Sequence, residues 1–137
     1  MTRALFAASV LLAACSGPTL PEDPDVSVAF TYSEDVRGFG ESESVVRIRN
    51  DAGVPIFMGC GSIKIQVERE GAWRTVGGNS SCLPGYGSFS VGAGSTGRFT
   101  YSRPGEYGRL RAEVTFGIAG DDRAHVAVSE VVERGAP

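Results

Sequence analysis

His125 and the cysteines carry the side chains best able to do chemistry in this chain. His125 is the only histidine, and the cysteines stand far apart at positions 15, 60 and 82. A zinc or copper site draws on several histidine or cysteine ligands, and the Gly-x-Ser-x-Gly turn of many hydrolases is missing. The sequence therefore predicts no catalytic residue, no metal site and no cofactor. His125 is expected at a strand start on the solvent-facing side, with Val126 and Val128 on the opposite side.

Two short motifs could bind ligands but are better explained as turns. Residues 92–97 read Gly-Ala-Gly-Ser-Thr-Gly, a G-x-G-x-x-G pattern. A dinucleotide site needs a helix after this motif, whereas residues 98–101 alternate like a strand. Asp121-Asp122 follows Gly120 without the spaced ligands of a calcium loop, so it is expected to cap a hairpin.

Basic side chains on predicted strands form a second candidate site. Arg109 and Arg111, with Lys64 on another outward face, could form a strip that faces a ligand. The alternative is an exposed sheet face on which Glu68 and Glu113 neutralise the cations. We expect the alternative, because surface ion pairs are common.

The N-terminal segment has the parts of an export signal. Arg3 supplies a positive charge, residues 4–14 are apolar apart from one serine, and the chain becomes polar after Cys15. About 20 apolar residues would be needed to span a bilayer, so this segment is too short. Leu12-Ala13-Ala14-Cys15 matches the bacterial lipoprotein box, and the stretch resembles a bacterial lipoprotein precursor. The resemblance implies cleavage after Ala14 and fatty acylation of Cys15; the alternative is an ordinary signal peptide cut nearby.

Charge and composition define how the mature chain would be held. Loss of Arg3 with the signal would change the net charge from −3 to −4, which argues against nucleic acid as a partner and leaves the lipid as the sole membrane anchor. Residues 15–25 are predicted to be the lipidated cysteine and a proline-rich tether, which could reach roughly 30 Å. Ser16, a residue other than Asp after the lipid-bearing position, resembles the outer-membrane class. The predicted location is the bacterial cell envelope, on the periplasmic face of an outer membrane where there is one.

Cys60 and Cys82 remain as a pair if Cys15 carries lipid. Export passes through an oxidising compartment, so we expect a structural disulfide between them. The loop-entropy model gives such a bridge about 3 kcal/mol of stabilisation. A redox-active pair is disfavoured because the close Cys-x-x-Cys spacing is missing, and two free buried thiols are the other alternative.

Apolar residues recur at every second position from Val26 onward, which is typical of strands with one buried face. Nineteen glycines and seven prolines leave few windows for a helix. The clearest strand patterns are residues 63–68 and 109–116. This rhythm of short strands and turns predicts an all-β antiparallel sandwich of about seven or eight strands.

The strand pattern resembles an immunoglobulin-like domain of the kind found in bacterial lipoproteins. The resemblance rests on Val45–Asn50 followed by Val54–Phe57, on Gly71–Trp73, and on Pro104–Tyr107 before a long strand. The antibody-type arrangement of two cysteines around a buried tryptophan is missing. The implied organisation is a signal peptide at 1–14, the tether at 15–25 and the sandwich domain at 26–134.

Leu83, Tyr86 and Phe89 form the candidate recognition loop, because they stand in a glycine-rich segment that Cys82 would hold. They could equally be core residues that close one end of the sandwich. We expect a non-enzymatic, membrane-anchored envelope lipoprotein that binds a protein partner or acts as a structural accessory. The alternative is a protein inhibitor of a peptidase or other hydrolase on the same fold, and an enzyme is the least favoured class.

Overall fold

The structure, a computed structural model, describes residues 24–33, 43–79, 87–102 and 106–136. Within these ranges the regular structure is all β, as the sequence predicts, and two antiparallel sheets form a sandwich. The strands are β1 (Val26–Ser33), β2 (Glu43–Asn50), β3 (Ile56–Gly59), β4 (Ile63–Arg69), β5 (Ala72–Gly78), β6 (Ser88–Val91), β7 (Thr96–Ser102), β8 (Gly108–Ile118), β9 (Asp121–Val128) and β10 (Val132–Arg134).

The smaller sheet has the order β1-β2-β7, and each neighbouring pair is antiparallel. β1 pairs with β2 along its whole length. Because successive side chains of a strand point to opposite faces, alternate residues of these strands are buried. The buried apolar positions on the inner face of β1 and β2 are Val28, Phe30, Val46 and Ile48, and Val45 is buried on the other face of β2.

β8 is the centre of the larger sheet and explains why ten strands are found where seven or eight are predicted. β3 and β4 lie end to end along one edge of β8, with Ile56 opposite Ile118 and Ile63 opposite Val114. β9 and β10 lie end to end along the other edge, where Ala127 is also opposite Val114. β5 pairs with β4 and β6 pairs with β3. Counted with β3 and β4 as one interrupted strand and β9 and β10 as another, the sandwich has eight strands in total.

Serine side chains accompany both interruptions. Between β3 and β4, the Gly59 N–H donates to Ser62 Oγ at 2.9 Å, and the Thr115 N–H donates to the Ser62 carbonyl at 2.8 Å. Between β9 and β10, the Ala112 N–H donates to Ser129 Oγ at 2.9 Å, while the Ser129 N–H donates to the Ala112 carbonyl. A serine hydroxyl thus accepts a backbone N–H at each break, which keeps buried polar groups paired.

The core lies between the sheets and is formed by alternate residues of the strands. Its buried members from the larger sheet are Ile56, Met58, Ile63, Ile65, Val67, Val91, Leu110, Ala112, Val114, Phe116 and Ile118. Asn50 is fully buried at the end of β2. Its Nδ2 donates to the carbonyls of Val54 and Val91 at 2.8 and 2.9 Å, and its Oδ1 accepts from the Ala52 N–H. These bonds fix the corner that joins the two sheets.

Gly78 allows β5 to close tightly against β4. Its φ is +118°, and a Cβ there would lie 2.0 Å from the carbonyl oxygen of Ile63. Only glycine fits this approach. It delivers Asn79 to the junction of β3 and β4, where Asn79 Oδ1 accepts from the Ile63 N–H at 2.8 Å and Nδ2 donates to the Gly59 carbonyl at 3.0 Å.

Candidate functional site

The outer face of the larger sheet has two unlike parts. The first, which we call the polar half, covers β4, β5 and β8 and consists of Lys64, Gln66, Glu68, Trp73, Arg109, Arg111 and Glu113. Lys64 lies opposite Glu113, and Gln66 lies opposite Arg111. Lys64 and Arg111 therefore share one face, and the placement of Lys64 on another outward face is wrong. The reason is that β4 and β8 are direct neighbours in one sheet.

Opposite charges are matched across the polar half. Lys64 Nζ lies 3.3 Å from Glu113 Oε1, and a guanidinium nitrogen of Arg109 bonds Glu68 Oε2. These pairs are partly exposed, so each is worth roughly 0–1 kcal/mol. The prediction of an ion-paired sheet face is confirmed.

Arg111 is held on three sides in the polar half. Its Nε donates to Gln66 Oε1 at 2.8 Å, a terminal nitrogen lies 3.8 Å from Glu113 Oε2, and its guanidinium carbon lies 4.2 Å from the ring centre of Trp73. The stacked guanidinium covers one face of the indole ring, a favourable cation–π geometry. The stack involves residues far apart in the sequence, and the pattern of either strand alone does not reveal it.

The second part of this outer face, the apolar end, consists of Phe57, Gly117, Ala124, Val126 and Val128. The exposed fractions are 44% for Phe57, 59% for Val126 and 44% for Val128. Because Gly117 has no side chain, an open cavity of about 330 Å³ lies beside Phe57 and Ala124. Exposed apolar groups clustered on one surface are typical of an interaction site.

His125 lies on the inner face of β9, contrary to the sequence prediction. It is paired with Phe116, a core residue, and the two rings stack with centres 5.5 Å apart. Val126 and Val128 point outward instead. The alternation of a strand shows which residues share a face but not which face is buried. At the edge of a sheet, the apolar character of Val126 and Val128 does not decide this.

Asp121 holds the imidazole of His125 in place. The His125 Nε2 to Asp121 Oδ2 distance is 2.9 Å, and the side chains are 12% and 6% exposed. The Arg123 side chain donates to both oxygens of Asp121, and the Arg123 N–H also donates to Oδ1. The Arg123 bonds and then the His125 bond hold the pKa of Asp121 well below its usual range. Asp121 caps the β8–β9 hairpin, as predicted.

A half-enclosed cavity of about 400 Å³ lies at the side of the sandwich beside His125. Its walls come from the start of β1, from β8 and from β9. The lining residues are Pro24, Val26, Phe116, Ala124, His125, Val126 and Ala127. The hydrogen bond between Asp121 and His125 orients an imidazole beside this cavity. Among the described residues, no group of three or more histidine, cysteine or acidic side chains could hold a metal ion.

The G-x-G-x-x-G motif is a turn, as predicted. The Gly94 N–H donates to the Asn50 carbonyl at 2.7 Å, and the Ser95 N–H donates to the Gly92 carbonyl at 3.1 Å. β7 begins at Thr96, inside the motif, and continues to Ser102, where a dinucleotide site would need a helix.

Only part of the predicted cysteine and loop sites falls within the described residues. Cys60 is exposed in the turn between β3 and β4, and its Sγ lies 3.3 Å from the Asn79 carbonyl oxygen. Phe89 is in β6, where its ring packs on Phe99 with centres 4.9 Å apart. Four predicted site residues lie outside the described residues, and their roles stay predictions: Cys15, Cys82, Leu83 and Tyr86.

No protein-family model matches the sequence, and no curated protein is significantly similar to it. In the part of the chain that the structure describes, no helix has the length and hydrophobicity needed to cross a bilayer.

Proposed function

We propose that this protein is an envelope lipoprotein, anchored through fatty acyl groups on Cys15, that works as a non-enzymatic binding or structural accessory module. The observation that carries the proposal is the sequence Leu12-Ala13-Ala14-Cys15 after an apolar segment. Several buried acyl chains, at about 0.8 kcal/mol per methylene, would anchor the chain firmly. Residues 15–25 would then form the tether that connects the lipid to the sandwich. We also propose that the sandwich has an immunoglobulin-like topology.

The contrast on the outer face of the larger sheet supports a binding role. In the polar half, charges are matched within the sheet itself, so little of that charge is available to a ligand. At the apolar end, Phe57, Val126 and Val128 remain exposed. A partner protein that covered these side chains would remove apolar area from water, which favours association at roughly 25 cal/mol per Å².

The anchoring is tested by metabolic labelling with radioactive palmitate. The intact chain is expected to incorporate label and to fractionate with membranes, and Cys15→Ser is expected to lose both properties. Cys60→Ser is the matched control, because it removes a cysteine that the proposal does not acylate. Label in Cys15→Ser, or unprocessed intact chain in the cytoplasm, would overturn the proposal.

We also propose the disulfide between Cys60 and Cys82 as part of this exported domain. Residues 80–86 connect Asn79 to Gly87, and both ends lie beside Cys60. The Gly61 N–H donates to the Asn79 carbonyl at 3.1 Å, and β6 begins opposite Gly59. Cys82 is three positions after Asn79 in the chain, a reach of at most about 10 Å, so a bond to Cys60 is within the reach of the chain. Non-reducing peptide mass spectrometry should find the linked pair; two alkylatable thiols in native protein would refute it.

Inhibition of a peptidase or other hydrolase is the second candidate. The position of Asn79 favours it, because the side chain fixes one end of the segment that carries Leu83 and Tyr86. A segment held at its ends loses less conformational entropy on binding. The purified protein would be assayed against a panel of hydrolases, with Tyr86→Ala as the variant and Thr75→Ala as the control. Inhibition that Tyr86→Ala alone abolishes supports this function, and absence of inhibition at micromolar concentration eliminates it.

A further inference from the structure

β9 is an unusual edge strand. Among the described residues it pairs with β8 alone, so the hydrogen-bonding groups on its other side have no strand partner there. Residues 124–128 read Ala-His-Val-Ala-Val and contain no acidic, lysine or arginine side chain. Val126 and Val128 are exposed at alternate positions. Such an edge is a template for pairing with another strand.

The other edge strands are protected by devices that residues 124–128 of β9 lack. β6 has four residues and β10 has three, which is too short for extended pairing. β5 carries Arg74 and pairs irregularly with β4, and β7 carries Arg98. β1 presents Ser27, Ala29 and Thr31 outward, and Arg47 reaches over to Thr31 Oγ1 at 3.5 Å. In the described part of the sandwich, β9 is thus the edge that exposes large apolar side chains.

We propose that β9 is a dimerisation edge, where two copies of the chain pair β9 with β9 in an antiparallel arrangement. A two-fold axis in such a pair requires one residue to face its own equivalent. With His125 on the axis, Val126 faces Ala124 of the second copy, Asp122 faces Val128, and Arg123 faces Ala127. No like charges meet in this register. With Val126 on the axis, Asp122 would face Glu130, which is unfavourable, so charge favours the His125 register over that one.

The expected dimer is weak. A strand pair that spans residues 121–129 is about 30 Å long at 3.3 Å per residue and is one strand wide. Such a contact falls at or below the roughly 1,200 Å² at which stable interfaces begin. We therefore expect dissociation in the micromolar range or above. The second copy is the occupant because, in the His125 register, the uncharged residues 124–126 face one another and the charged residues at the start of β9 face uncharged ones, so the strand is complementary to itself.

Sedimentation velocity tests the proposal on the full-length chain in a non-ionic detergent, over about a hundredfold range of concentration. The sedimentation coefficient is expected to rise with concentration from monomer to dimer. Val126→Lys should weaken association by about tenfold or more, because it buries a charge at the new strand pair. Thr75→Lys, on the exposed face of β5 at the opposite edge of the same sheet, is the matched control and should leave association unchanged. A chain that stays monomeric, or equal weakening by both variants, overturns the proposal.

Hydrogen exchange of the unmodified chain gives a test that does not depend on the folding of a variant. Backbone amides of residues 122–128 are expected to exchange more slowly at high protein concentration than at low concentration. Amides of β5 and β7 should exchange at the same rate at both concentrations. Protection of β9 that does not vary with concentration means that the chain itself covers this edge, and it refutes the dimer.

Discussion

The polar half and the apolar end share one strand, and the outward residues of β8 show how they differ. In order along β8 these residues are Arg109, Arg111, Glu113, Thr115 and Gly117. The first three are charged and are matched by partners on β4 or β5, whereas the last two are small and leave Phe57 and Val126 exposed. The comparison teaches that a single strand can form polar contacts within the sheet along one part of its outer face. Along the other part, it can leave apolar side chains exposed for contact with another protein.

The prediction with the largest expected effect tests whether one core supports both the polar half and the apolar end. Phe116 is buried beneath the apolar end and Leu110 beneath the polar half. Phe116→Ala should lower the free energy of unfolding by about 3–5 kcal/mol, and Leu110→Ala by about 2–5 kcal/mol. Urea denaturation followed by the fluorescence of Trp73 measures both. A small effect at Phe116 alone would mean that the core beneath the apolar end is loosely packed. The polar half and the apolar end would then differ in packing as well as in polarity.

A smaller effect is expected from Asp121, which holds the inner side of β9 at the apolar end. Its pKa is lowered in the folded state, so ionised Asp121 stabilises the fold above its unfolded pKa of about 4. Asp121→Asn should therefore reduce thermal stability at neutral pH. The difference from the unmodified chain should decline as the pH falls below about 4. Asp122→Asn is the control, since Asp122 is exposed on the outward side, and an equal loss in that variant would contradict a specific role of the Asp121–His125 pair.

Arg111→Ala sharpens the comparison at the polar half. It removes the contact with Trp73 and the bond to Gln66, and we expect a loss of about 1 kcal/mol in the free energy of unfolding. Added salt should reduce the ionic part of this loss, because Glu113 is partly exposed. Arg111→Lys should recover little, since a lysine cannot stack in the same way. Full recovery by lysine would show that charge alone matters there.

Val126→Thr is expected to have the smallest effect on stability. The side chain is 59% exposed, so the free energy of unfolding should change by less than about 0.5 kcal/mol. The same change should reduce binding of a hydrophobic dye to the native protein, because it removes part of the apolar end. Val114→Thr, at a buried position of β8, is the contrasting variant and should destabilise clearly. A large loss of stability in Val126→Thr would show that this part of the face is already covered.

The sequence predicts the strands whose two faces differ most. In β4, Ile63, Ile65 and Val67 alternate with polar residues, and all three are buried as expected. β8 follows the same rule from Leu110 to Phe116. Both strands have neighbouring strands on each side, so their apolar faces can be buried only against the other sheet.

The sequence does not predict features that depend on distant residues. The inward direction of His125 depends on Asp121 and on the ring of Phe116, which satisfy its polar and apolar parts separately. The exposure of Phe57 depends on Gly117, sixty positions away, which leaves the space beside it open. The break between β9 and β10 depends on the Ser129 hydroxyl, which takes a bond from Ala112. Local periodicity contains none of this information.

The central place of β8 sets the order in which the sandwich can assemble. β3 and β4 both pair with this strand, yet it spans Gly108–Ile118 and comes about forty or more positions after them in the chain. A nascent chain that emerges from its N-terminus therefore holds the partners of β8 long before β8 itself is made. Productive folding of the larger sheet has to wait until β8 has been made. Until β8 is available, the chain is not folded into the sandwich. An unfolded chain is the form in which a polypeptide passes through a narrow membrane channel.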